Sequence, residues 1–124
     1  MAYPTSITLA DTTPTDHIYV DLGGAFGRRK IRKEVAAPAD QPKHLIVDHT
    51  ETGKGLKSLT RSVVRNEQVF EDSITGEQVT GYIQTIVGFY TKVATTQQMQ
   101  DLMSEHKAFL NTSGYSDDLI AGNS

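Results

Sequence analysis

Arg61 and Arg65 stand four residues apart in LTRSVVRNE, Leu59 to Glu67. Side chains alternate along an extended strand, so that spacing puts both guanidinium groups on one face. Lys57 joins them if the strand reaches back that far. Cations on a common surface hold phosphate, and a base also needs a ring to stack on and a hydrogen-bonding edge. Tyr82 and Gln84, two residues apart in VTGYIQTIVGFYTKV, share a face and supply a ring and an amide, with His44 as a further neighbour. A one-residue slip in register would present Ile83 and Thr85 instead and turn Tyr82 into core. The plainer alternative pairs the two arginines with acids such as Glu67 on a solvated sheet, although Val63 between them argues against a purely solvated face.

Other chemistry has less to stand on. His44 and His49 point to opposite faces of any strand, so together with Asp48 they make no metal site, and neither a metal nor a cofactor is expected. DLGGAFG, Asp21 to Gly27, neither opens a helix nor matches a phosphate loop. Asp16 and His17 with a distant serine have no triad spacing, and the chain has no cysteine to act as nucleophile, thiolate ligand or disulfide partner. No enzymatic activity is expected.

The whole chain carries 12 basic and 15 acidic residues, a formal charge of -3 that by itself opposes polyanion binding. The charge is unevenly distributed. Arg28, Arg29, Lys30, Arg32 and Lys33 fall together without an acid, whereas Asp101, Glu105, Asp117 and Asp118 face only Lys107 in the last stretch. One surface can therefore meet phosphate while another stays anionic.

The elements that must position these residues are mostly strands. SITLA, Ser6 to Ala10, and HIYVDL, His17 to Leu22, flank the turn-rich DTTPTD and read as a hairpin. After the glycines of GGAFG, a third strand is expected over Arg28 to Ala37, followed by a loop at APADQP, whose prolines bar a central strand. Within RRKIRK alternate residues face opposite ways, so part of the run meets phosphate and the rest is expected to contact neighbouring subunits. In KHLIVDHT, Lys43 to Thr50, the face of Leu45, Val47 and His49 is more apolar than that of His44, Ile46 and Asp48. A turn at ETGKG leads to a long strand, Leu56 to Asp72, and SITGEQ to a last one, Val79 to Val93, which is either continuous or kinked at Gly81 or Gly88.

The period then changes from two to that of a helix. Met99, Leu102, Met103, His106, Phe109 and Leu110 recur on one helical face. Thr95 followed by Gln98 matches a capping box, Gly114 is a natural stop, and a short second helix is expected over Tyr115 to Ile120 with Asp117 and Asp118 in its first turn. Burying the apolar members of that stripe is worth roughly 8 to 15 kcal/mol at most. They can bury against their own sheet or on a second subunit, and pairing with another chain would also cover an exposed strand edge.

A single α+β domain over residues 1–124 is thus expected, with a hairpin over 5–22, sheet strands over 28–93 and helices over 95–122. The N-terminal stretch has no basic region followed by an apolar run, and nothing approaches the ~18 apolar residues of a membrane span, so no membrane partner is expected.

The order of these parts resembles that of the levivirus coat proteins, the shell proteins of single-stranded RNA bacteriophages. VDHTET (Val47 to Thr52), LTRSVVRNE and FYTKVATTQQMQDLMSEHKAFLN (Phe89 to Asn111) carry the likeness, which is a diffuse pattern over nearly the whole chain. It implies an antiparallel meander sheet and an interwoven homodimer, with Met99, Leu102, Met103, His106, Phe109 and Leu110 at the dimer interface. It further implies an icosahedral capsid around genomic RNA, located in the virion and made in the bacterial host cytoplasm. On that likeness the sheet faces RNA, through Lys57, Arg61, Arg65, Tyr82, Gln84 and His44, and also binds an RNA hairpin as a translational repressor. Tyr82 and Gln84 resemble the family's aromatic and amide positions for a base. A cellular dimeric α+β RNA-binding regulator that forms no shell is the competing expectation.

Overall fold

A computed structural model describes residues 3, 5–22 and 29–122. Two compact units make up the chain, one from Met1–Glu51 and Thr60–Gly88, the other from Thr52–Leu59 and Phe89–Ser124. The strands are β1 (Ser6–Ala10), β2 (Asp16–Asp21), β3 (Lys30–Glu34), β4 (Lys43–Thr52), β5 (Leu59–Glu71) and β6 (Gln78–Tyr90). They form one six-stranded sheet in sequence order, an antiparallel meander. Helices α1 (Thr96–Asn111) and α2 (Tyr115–Ala121) follow, so the fold is α+β as the change of period requires.

The hairpin β1–β2 is closed by Asp11, whose carboxylate accepts hydrogen bonds from the Thr13 and Thr15 amides at 2.8 and 2.9 Å. Ser6 lies opposite Val20 and Ala10 opposite Asp16. β3 is shorter than expected. Its last bond to β2 runs from the Val35 amide to the Ile18 carbonyl, and the chain then turns toward the proline loop. Arg28 and the glycines of GGAFG lie outside the described residues.

The core sits on β4 and its neighbours: Tyr19, Leu45, Ile46 and Val47 are buried. Ile46 is buried along with Leu45 and Val47 of the opposite face, on a central strand flanked by β3 and β5. Arg32, from the run expected to divide between phosphate and neighbouring subunits, does neither within this chain but is fully buried, opposite Leu45. Lys30 of the same run pairs with Asp21 at 3.2 Å.

β5 begins at Leu59 rather than Leu56. The chain between β4 and β5 makes a 3-10 turn over Gly55–Lys57, in which the Lys57 amide bonds Lys54 and the Ser58 amide bonds Gly55. Gly53, at φ +85, makes this turn possible, since a Cβ there would lie 2.3 Å from the Lys57 carbonyl oxygen. β6 is one unbroken strand. Gly81 does not kink it; the ring of Phe70 packs over the glycine, and a Cβ would stand 2.8 Å from that ring.

The capping box forms as the sequence dictates: the Thr95 hydroxyl accepts from the Gln98 amide and the Gln98 side chain accepts from the Thr95 amide. α1 ends at Asn111 with Thr112 as its cap, so Gly114, at φ +85, opens α2 instead of closing α1. Asp117 and Asp118 stand in the first turn of α2, and the rings of Phe109 and Tyr115 meet 4.9 Å apart between the helices. Met99 and Met103 are half-buried, whereas Leu102, His106, Phe109 and Leu110 are exposed.

Candidate nucleic-acid interface

The sheet register sorts the polar side chains of the strands between two faces. On one face lie His17, Tyr19, Arg32, Glu34, Lys43 and Leu45, as the cross-strand pairs Tyr19 with Glu34 and Arg32 with Leu45 require. His49 joins them and bonds Ser62 of β5 at 2.7 Å. The other face carries His44, Ile46 and Asp48. His44 approaches Glu67 at 3.6 Å, so the two histidines of β4 do face opposite ways.

Each face has a shallow concavity. The one beside Tyr19 and Lys43 holds about 370 Å³ and is lined further by Asn66, Glu67, Gln68, Phe70, Gly81, Tyr82 and Ile83, so Glu67 and Tyr82 reach its rim from the strands that carry them. The other holds about 410 Å³ and brings together Arg61, Val63 and Arg65 of β5 with Gln84 of β6, Ile46 and Asp48 of β4, Glu67 and Arg29. Tyr82 does not line this second concavity but is joined to it through Arg65, whose guanidinium lies 3.8 Å from the centre of the Tyr82 ring. Arg61, Arg65, Tyr82, Gln84 and His44 therefore fall on one surface, and Ile83 lines the opposite concavity.

Lys57 does not lie on the strand that carries the two arginines. It ends the 3-10 turn before β5 begins, so the strand alternation that aligns Arg61 with Arg65 does not extend to it.

The two arginines differ in their surroundings. Arg65 Nε donates to Glu67 Oε2 at 3.0 Å, as the plainer reading of this face foresaw, while exposed Arg61 has no ion pair among the described residues. Asp48 and Glu67 sit in the same concavity as the arginines, so acid and base are less separated here than along the sequence. The balance stays cationic, with Arg29, Arg61 and Arg65 against Asp48 and Glu67. Sequence reasoning had Arg29 in a basic run of which part meets phosphate and Asp48 only in a rejected metal set; both join the site through cross-strand neighbours. It did have a usable signal for Glu67, two residues from Arg65 on one strand and hence on its face.

Chemically, the surface offers one guanidinium without an ion pair among the described residues and a half-screened one, a ring with a cation over it, and an exposed amide. That is equipment for holding phosphate and flat bases.

No protein-family model matches this sequence, and no curated protein does. Solved structures do match. The virus-like particle of Beihai levi-like virus 21 is similar over 99% of this chain and 98% of its own, with a TM-score of 0.79 at 12% identity. That of bacteriophage GQ-907 covers 100% of this chain and 96% of its own at TM-score 0.73 and 11% identity. That of bacteriophage ESE058 covers 95% and 94% at TM-score 0.72 and 15% identity. The six-stranded meander with two terminal helices is thus the fold of levivirus and levi-like phage coat proteins.

Proposed function

We propose that this chain is the coat protein of a levi-like single-stranded RNA phage, a structural protein rather than an enzyme. Its copies pair as homodimers through the α1 stripe and through β6, whose outer edge has no strand partner among the described residues, and the dimers close into a capsid, the protein's place in the virion. The shell encloses RNA, with the face of Arg61, Arg65, Tyr82, Gln84 and His44 turned toward it. The same face takes an RNA hairpin as a translational repressor. The observation that carries the reading is end-to-end likeness to proteins that form virus-like particles, with almost nothing of this chain or of theirs left over.

Expression of the full chain, followed by electron microscopy and light scattering, tests it. Uniform spherical particles far larger than a dimer, containing RNA, are expected. A dimer that persists across salt and protein concentration would overturn the coat reading and favour an RNA-binding regulator without a shell. The Arg61→Ala variant should assemble and retain less RNA, because it loses a phosphate contact and no intramolecular bond.

A further inference from the structure

The two arginines of β5 have the same chemistry and different freedom. Arg61 is exposed and has no ion pair among the described residues. Arg65 is fixed twice, by its Nε bond to Glu67 at 3.0 Å and by stacking of its guanidinium 3.8 Å from the centre of the Tyr82 ring. Glu67 is itself held near His44, at 3.6 Å.

A guanidinium in that state is a poor phosphate contact. Glu67 already offsets much of its charge, and reaching a phosphate would cost the carboxylate bond and the ring contact together. Its plane is a different matter. A guanidinium held flat against a ring on one side offers its other side to a second flat group, and arginine planes stack nucleobases well. The Arg65 side chain keeps 30% of its surface exposed and Tyr82 59%, so a ligand can reach the guanidinium, and Gln84 lines the same concavity as Arg65 with an amide for a base edge.

We propose that Arg61 and Arg65 divide the work: Arg61 binds phosphate, whereas Arg65, clamped on Tyr82 by Glu67, forms a stacking platform that selects an unpaired base. Glu67 is the positioning residue. This rests on the RNA-facing reading given above and adds to it what each arginine recognises.

Two RNAs of equal length test the division, a hairpin with one unpaired base in its stem and a fully paired duplex. Their affinities for the full chain are measured over a range of salt. Arg65→Lys keeps the charge and loses the plane. It should weaken hairpin binding about tenfold, leave duplex binding unchanged and leave the salt slope unchanged. Arg61→Ala should weaken both RNAs and lower the salt slope by about one. Glu67→Ala frees the Arg65 guanidinium, so hairpin preference should fall while the salt slope rises, a gain that loss of structure would not produce. Equal weakening of both RNAs by Arg65→Lys, or no weakening of either, would overturn the platform. Failure of the unaltered chain to bind either RNA would instead overturn the RNA-facing reading itself, before any variant is compared.

Discussion

Both ring nitrogens of His17 face carboxylates, Nε2 toward Asp11 at 2.8 Å and Nδ1 toward Glu34 at 2.5 Å. Carboxylates only accept, so both nitrogens must donate and the ring is an imidazolium. Glu34, buried and shared with Lys43 at 3.5 Å, and Asp11 together raise the pKa of His17, with the Glu34 bond the larger cause and Lys43 opposing. Asp11 in turn lies well below the usual carboxylate range, chiefly through the Thr13 hydroxyl and then through His17. The signs differ. The contribution of His17 is complete below its unfolded value, about 6.5, and is lost as pH rises through the raised folded value. That of Asp11 is present above its unfolded value and is lost only as pH falls through its depressed folded value. Neutral His17 would leave one lone pair against a carboxylate and loosen the hairpin from β3. Amide exchange in β1 and β2 should therefore quicken as pH rises from the unfolded value of about 6.5 through the raised folded value, beyond the intrinsic base-catalysed increase, and the excess should vanish in His17→Gln. An identical excess in the variant would remove His17 from the account. None of this was legible in the sequence, because Asp11, His17, Glu34 and Lys43 meet only through pairing of three strands. That Arg61 shares a face with Arg65, and Tyr82 with Gln84, was legible, because each pair lies on one strand; which face Tyr82 and Gln84 take was left to the register.

Elements were readable where local chemistry is sufficient and misread where the chain makes a close approach. Thr95 and Gln98 settle the start of α1 by themselves, since each satisfies a backbone amide that the first helical turn leaves without a partner. Thr95→Ala should cost about 1 kcal/mol, seen as a lower midpoint in chemical denaturation, and Thr95→Ser should restore most of it. A midpoint unmoved by Thr95→Ala would mean that α1 is held by packing and not by its cap. The start of β5 depends instead on Gly53 lying against the Lys57 carbonyl, a contact six residues of propensity do not announce. Lys57 was consequently assigned to a strand it does not enter. The same limit applies to Gly81, read as a candidate kink when its lack of a Cβ makes room for the Phe70 ring one strand away.

At the scale of the molecule the apolar surface left uncovered calls for a second copy. Leu102, Phe109 and Leu110 on α1 and Leu119 and Ile120 on α2 are exposed in the single chain, as are Phe70, Val79 and Ile83 on the last two strands. Scattered singly such residues need no explanation; the five on α1 and α2 lie together on two short helices, and the three on β5 and β6 are taken by themselves. The expected interface can be tested at Leu102, which is 55% exposed. In an isolated chain Leu102→Glu should change stability by no more than about 0.5 kcal/mol, since glutamate is nearly as good a helix former and the site is wet. In a dimer that buries the stripe the same change places a charge in an apolar contact, costing several kcal/mol, enough to shift dimer dissociation by two or more powers of ten. Sedimentation across protein concentration should then find the variant as monomer, or without folded chain, where the unaltered protein is dimer or particle. A Leu102→Glu variant that dimerises and assembles like its parent would place the interface elsewhere and leave the β6 edge to carry association alone.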